Sequence, residues 1–312
     1  LTGVAAGRGG ERADATQKVR LADREGFLAW AFLLPSIVYL TALVVAPFGL
    51  TVAFAFSRST SEAPSYRFAG LRNFRVLFGD HAFWHSLVDT LALTAVSTVL
   101  VVAFGTVLAG VLRADFRFRR TVRTAVLLPW TTPVALSAIS WRWLLGSDGS
   151  PVERVLRAAS LLHGGESPLA RTPSAMVSVV AVHVWRLTPL AAVIMMAGLA
   201  AIPRGVWDAA HLDGAGFWRR LFGVTLPLTL PVTAVAAVFT AAFTVGDMAI
   251  VRVLTGGGPG DSTQVLPVLA YLRGVDQGDV GSGAATALFL FPLFLAGVMV
   301  VLRVMRRMGD RP

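Results

Sequence analysis

The sequence predicts an all-α integral membrane protein with six transmembrane helices, and three observations carry that prediction. Hydrophobic residues make up 55% of the chain and charged residues only 15%, and the mean hydropathy is +0.66. The apolar residues come in blocks too long to be hidden together in one water-soluble core. Six blocks reach the about 20 residues that a bilayer crossing needs, at roughly 28–56, 88–112, 122–145, 174–201, 228–250 and 284–304. The alternating apolar and polar strands of a membrane barrel do not occur in the sequence, which leaves helices as the spanning form.

Taken in order, residues 1–25 are rich in Gly, Ala and charge and read as a disordered tail, with no cleavable signal ahead of the first span. Residues 26–308 form one transmembrane domain without internal repeat or soluble second domain. Arginine placement sets its orientation. Between the second and third spans Arg113, Arg117, Arg119, Arg120 and Arg123 face a single Asp115, and the C-terminus carries Arg303, Arg306, Arg307 and Arg311 against Asp310. Both segments belong in the cytoplasm. The tail, with Arg8, Arg12, Lys18, Arg20 and Arg24, joins them there, as an even number of spans requires. The loops near 146–173 and 251–283 then lie outside. Arg58, Arg67, Arg72 and Arg75 in the first external loop run against the rule but are outvoted. The segment around 203–227 falls in the cytoplasm.

Several functions are excluded early. The formal net charge is +10, but the basic residues cluster at membrane edges, which suits anionic membrane lipid rather than nucleic acid. The chain has no cysteine, and its five histidines show no metal-ligand spacing. The single lysine, Lys18, follows Gln17 and not a glycine-rich loop, so a phosphate-binding loop of the G-x-x-x-x-G-K-[ST] kind is impossible here. A pump built on this chain must hydrolyse ATP elsewhere. Asp89 and Asp247 are the main intramembrane acids, and neither begins a relay of titratable neighbours as a proton-driven carrier would need.

One segment carries more chemistry than the rest. Asp208, Ala209, Ala210, Asp213, Gly214 and Ala215 lie between two membrane-length blocks, followed by Leu226-Pro227 and a further Pro231. Asp208 reads as near a helix start, where it suits the macrodipole, and the alanines are small, strong helix formers that another surface can approach. Gly214 ends the helix. Phe217, Trp218, Leu221 and Phe222 then give an apolar edge beside Arg219 and Arg220, a shape suited to a groove on a soluble partner. A plain amphipathic surface loop would share the composition but not this spacing in a membrane setting. The segment resembles the EAA loop of ABC-importer permeases: an acidic residue (here Asp208 where glutamate is usual), two alanines, two variable residues, Asp-Gly-Ala, then about ten residues to Leu-Pro.

A second likeness narrows the family. Val253-Leu254-Thr255-Gly256-Gly257-Gly258-Pro259, with Thr263 after it, resembles the external L-T-x-G-G-P loop of the maltose-transporter-type permease subunit. Gly70-Leu71-Arg72-Asn73-Phe74 and the stretch from Trp185 to Pro203 are similar to the same family, so the likeness covers most of 26–308. By itself the glycine run is only a turn signal. The resemblance implies a type I ABC importer permease fold in the bacterial inner membrane, both termini cytoplasmic. It implies four kinds of company: a second homologous permease, two copies of a cytosolic ATPase subunit, an extracytoplasmic solute-binding protein and membrane lipid. The chain itself is then not an enzyme and holds no cofactor; ATP and Mg belong to the ATPase. It implies uptake of a mono- or oligosaccharide by alternating access, with a polyol or glycerophosphate-type solute as the alternative. A proton-coupled secondary transporter and a structural scaffold are the other classes, and both leave the Asp208–Ala215 segment unexplained.

Candidate solute contacts come from the fifth span. Thr240, Phe243, Thr244 and Asp247 recur at i, i+3, i+4 and i+7 and so share one helix face. A mid-span carboxylate costs about 2.5–3.5 kcal/mol on insertion scales unless it meets water or a partner, which favours a pathway position. Hydroxyls and an aromatic face match what a sugar offers. The competing reading has Asp247 pairing with Arg186 or Arg252 to hold helices together. In the fourth span Trp185, Arg186 and Thr188 are further candidates, although Trp185 suits helix packing equally well. Trp130, Trp141 and Trp143 read as anchoring or core residues.

Overall fold

The computed structural model describes residues 22–62, 67–146, 149–160 and 167–309. These fall into two units, residues 1–51 and 52–312. In the first, α1 (Ala22–Leu40) passes through a π-helical turn, Thr41–Val45, into α2 (Ala46–Ala55), whose residues from Val52 on belong to the second. Together they supply a span of 24 residues, Phe32–Ala55. The wide turn lies just ahead of Pro47, which has no N–H to return to the previous turn. The expected tail is corrected at one end. Residues 22–25 are helical, since Ala22 is a strong helix former and Asp23 and Glu25 suit a helix start. Residues 1–21 lie outside the described residues.

The second unit is built around two long helices, α4 (His81–Arg113) and α8 (Thr172–Ala201). α3 (Arg72–Gly79) leads into α4, and Asp80 caps α4 by accepting from the Ala82 amide at 2.8 Å. Ahead of α3, Asn73 is buried and its side-chain amide donates to the carbonyls of Ala55 and Ser57 at 2.9 and 2.8 Å, tying down the chain that leaves α2. α4 and α8 are in close contact at Gly105. A Cβ there would lie 2.7 Å from the Ala191 side chain and 3.1 Å from the Ala192 amide nitrogen. Small residues at such a crossing let two membrane helices gain packing that lipid cannot offer.

The third and fifth apolar blocks are not straight spans. α5 (Arg119–Thr131) and α6 (Val134–Gly146) meet at 94°, because Pro133 forces Thr132 into an extended conformation. Beyond the fourth span come α9 (Arg204–Leu212), α10 (Phe217–Arg220), a π-helical segment Leu221–Thr225 and α11 (Leu226–Leu228). α12 (Leu230–Val245) then departs at 82° to the helix before it. Thr229 sits at that break, its hydroxyl on the Thr225 carbonyl at 2.7 Å. Four helices are long and apolar enough to cross a membrane alone, and six spans result if each bent pair counts as one.

The remaining elements are α7 (Pro151–Ala158), α13 (Ala249–Leu254), α14 (Leu266–Tyr271), a π-helical turn Leu272–Asp276 and α15 (Val280–Gly309). α7 opens on a capping box in which Ser150 accepts from the Glu153 amide at 3.1 Å and the Glu153 carboxylate reaches back to the Gly149 amide. That amide, followed by Arg157 one turn on, holds the Glu153 carboxyl below the ordinary carboxylate range. Three apolar clusters hold the unit together. One joins α4, α6, α8, α13 and α14 through Leu93, Leu145, Val182, Ile250 and Val268. A second joins α4, α8 and α12 through Val101, Leu187, Met195 and Ala236. A third packs Leu77, Phe83, Leu266 and Leu269 against Phe289 of α15.

Candidate coupling segment and solute pathway

The Asp208–Ala215 segment forms a helix and its stop. In α9 the exposed residues Gly205, Asp208, Ala209 and Leu212 recur at i, i+3, i+4 and i+7, while Ala210 is buried and Val206 and Trp207 pack against the second apolar cluster. Leu212 is 89% exposed. Asp208 is the fifth of the nine residues of α9, so it sits mid-helix and not near the start that the sequence suggests; α9 begins directly after Pro203, which sets the helix start earlier. Asp213 caps the C-terminal end, and Gly214 follows in the left-handed region at φ 63°. The Gly214 amide donates to the His211 carbonyl at 3.0 Å and the Ala215 amide to that of Ala210 at 3.0 Å, the two bonds of a Schellman stop. His211 in turn gives its Nδ1–H to the Trp207 carbonyl at 2.7 Å and accepts from Arg220 through Nε2 at 2.7 Å. Trp218 and Phe222 stack with centroids 6.0 Å apart.

The proposed stripe of the fifth span is rearranged. α12 ends at Val245, so Asp247 lies in the break before α13 and does not continue a helical face. Thr240 and Thr244 are buried and their hydroxyls donate to the carbonyls of Ala236 and Thr240 at 2.8 and 2.9 Å. Phe243, in contrast, is exposed and packs edge-on to Trp130 at 5.1 Å. Asp247 accepts from the Ile250 amide through Oδ1 at 3.0 Å. Its Oδ2 faces His183 Nε2 at 3.6 Å and the Arg186 guanidinium at 4.0 Å. Of the two arginines weighed as partners, the structure selects Arg186. Arg252 is engaged by Asp276 at 3.1 Å and lies over the Tyr271 ring at 3.9 Å.

His183 escaped the sequence reading, which sought only metal spacing among histidines. It is wholly buried, and its Nδ1 bonds the Val179 carbonyl at 2.9 Å. The signal was available: His183 and Arg186 stand three apart on an otherwise apolar helix, which places both on one face. Trp130 packs against the second apolar cluster, in keeping with a core role, and has a further contact. The Arg186 guanidinium lies over its ring at 5.5 Å. Trp185 packs edge-on to Trp141 at 5.4 Å, and Thr188 spends its hydroxyl on the Val184 carbonyl at 2.6 Å. The surface around the break thus offers two aromatic faces, Trp130 and Phe243, over a largely buried guanidinium and carboxylate that offset one another.

Residues 101–310 match the family model described as the binding-protein-dependent transport system inner membrane component. The chain belongs to that family. This permease is 32% identical over 93% of its length, and 98% of the relative's, to the trehalose/maltose transport system permease protein MalF of Thermococcus litoralis. It is 30% identical to the sulfoquinovosyl glycerol transport system permease protein SmoG of Agrobacterium fabrum, covering 93% of this chain and 94% of that one. Against the trehalose transport system permease protein SugA of Mycobacterium tuberculosis the identity is 32%, covering 87% and 86%. Among solved structures, a chain of a bacterial ABC transporter involved in the import of the acidic polysaccharide alginate superposes with a TM-score of 0.75 at 20% identity, covering 93% of this permease and 98% of that chain. The shared fold is that of an ABC importer permease.

Proposed function

We propose that this permease moves an uncharged mono- or oligosaccharide inward by alternating access, driven by ATP hydrolysed on a separate subunit. Its company is a second homologous permease, two copies of a cytosolic ATPase subunit that binds ATP and Mg, and an extracytoplasmic solute-binding protein. The observation that carries this reading is α9, a short helix whose Gly205–Asp208–Ala209–Leu212 face is bare while its other face is anchored in the membrane unit. A bare helical face of small residues with one protruding leucine suits a groove on a soluble partner. The arginine bias supports a cytoplasmic α9, on the same side as both termini.

Three relatives named for sugar or sugar-glycerol transport support the solute class. The Trp130 and Phe243 rings suit the C–H faces of a pyranose. Asp247 beside Arg186 argues against a glycerophosphate, because the guanidinium that an anion would need is already compensated. A polyol has the hydroxyls but no pyranose face for the rings, which makes it the second choice.

The test is reconstitution of the complete importer in proteoliposomes with labelled trehalose, maltose and glycerol 3-phosphate. Uptake of a disaccharide that requires ATP and the binding protein is expected. Uptake by this chain alone under a proton gradient, or preference for glycerol 3-phosphate, would overturn the reading.

A further inference from the structure

We propose that the cavity between the last turns of α4, α9 and the π-helical segment Leu221–Thr225 is a binding site for one anionic phospholipid, its phosphate held by Arg113 and Arg220. The cavity has a volume of about 730 Å³. Val107, Val111 and Leu221 supply its apolar wall, and Arg113, His211 and Arg220 its basic lining. No carboxylate lines it. Asp208 on α9 is exposed and is not among the residues that line the cavity.

The charge on the rim is uncompensated. His211 brings no negative charge to the rim; its Nδ1 bonds the Trp207 carbonyl and its Nε2 bonds Arg220. Arg220 therefore keeps its full charge and uses only one of its guanidinium N–H groups on His211. Arg113 has no hydrogen-bond or ion-pair partner among the described residues. Two guanidiniums facing one space favour a single anion between them, and a phosphodiester accepts in the bidentate manner that guanidinium offers.

The apolar wall decides the rest of the ligand. Val107 and Val111 are 47% and 54% exposed, on a helix long enough to cross the membrane. The cavity sits at the arginine-rich end of that helix, where the anionic headgroups of the cytoplasmic leaflet lie. Free phosphate would satisfy the rim but leave the wall bare; a phospholipid covers both. A lipid there would tie α4 to α9 through its phosphate, so that lipid composition bears on the coupling helix. The inference rests on the cytoplasmic orientation of α9 but not on the sugar.

The experiment uses the complete importer in nanodiscs of phosphatidylethanolamine with phosphatidylglycerol, with a photoreactive benzoylphenylalanine at Val111. Irradiation followed by mass spectrometry should find a phosphatidylglycerol adduct on this chain. Arg113→Gln and Arg220→Gln should each lower adduct yield by about fivefold, while Arg113→Lys and Arg220→Lys should retain most of it, which separates charge from misfolding. Gly110→Leu should also lower the yield by plugging the cavity, because a Cβ at Gly110 meets nothing within 4 Å. Capture of a partner subunit in place of lipid would overturn the proposal. So would equal capture of phosphatidylcholine, or loss of the adduct on adding millimolar inorganic phosphate, which would mark a free-phosphate site. The readout is lipid capture, so failure of the sugar reading leaves it unchanged.

Discussion

Asp247 holds one carboxylate oxygen on the Ile250 amide and turns the other to His183 and Arg186, so it closes a helix break and neutralises a guanidinium at once. Removing one partner of a buried charge pair costs about 3–5 kcal/mol. Asp247→Ala should therefore lower the thermal midpoint of the purified permease complex, and Asp247→Ala with Arg186→Ala should regain most of it; uptake lost at unchanged midpoint would assign Asp247 to solute contact alone. Asp247→Asn should be milder, since its amide oxygen still accepts from Ile250. The pairing was open in the sequence because i+7 spacing assumes an unbroken helix, and Gly246, where that helix ends, carries no stronger stop signal than other glycines in spans. Gly214 was legible, and its φ of 63° sets a sharper test. Gly214→Val forces a β-branched residue into the left-handed region at about 1–2 kcal/mol. Solute-stimulated ATPase activity of the assembled complex should fall, with Gly214→Asn near wild type; equal activity in both variants would remove the turn from the coupling role. At Glu153 the folded pKa lies below the unfolded one, chiefly through the Gly149 amide and also Arg157. Its contribution is present above the unfolded value of about 4.3 and is lost as pH falls through the folded value. The protection factors of the α7 amides against hydrogen exchange should fall below about pH 4 in the wild type, and Glu153→Gln should remove that fall.

At the scale of elements, the crossing of α4 and α8 is set by the missing side chain at Gly105. Gly105→Val should separate the two helices at a cost of about 1–3 kcal/mol, read as a lower thermal midpoint and yield. Gly110→Ala, one helical turn and a half further on, meets nothing and should be neutral. Equal effects from the two would show that helix propensity, not contact, is being measured. The six apolar blocks of the sequence are all helical, but hydropathy could not see that two of them bend. Pro133 and Pro231 were visible as residues, yet a proline inside an apolar run is compatible with a kink, a break or a mild curve. What distinguishes them is the conformation of Thr132, extended at φ -71° and ψ 135°, and of Thr229, at φ -95° and ψ 6°. The same limit hid Asn73, whose motif was noticed while its task of gripping the Ala55 and Ser57 carbonyls was not.

For the whole molecule, the chain has no cysteine of its own, so topology can be read with introduced ones. Gly223→Cys should resist an impermeant thiol reagent applied to intact cells, and Gly258→Cys should react; labelling of Gly223→Cys from outside would reverse the orientation and with it the coupling role of α9. Membrane class and family were legible because bilayer length and the Asp208–Ala215 spacing are written in consecutive residues. The site around Asp247 was not, since it is assembled from α5, α8 and the α12–α13 break. One apolar cluster bears on both ends of this machine. Val206 and Trp207 of α9 pack against the same cluster as Trp130, whose ring touches Phe243 and lies beneath Arg186. A close-packed interior is stiff and passes strain on with little loss. If α9 takes up the ATPase and the Trp130 and Phe243 rings take up the solute, as proposed, the two are mounted on a common chassis, and a thrust delivered to α9 is passed on through packed side chains to Trp130.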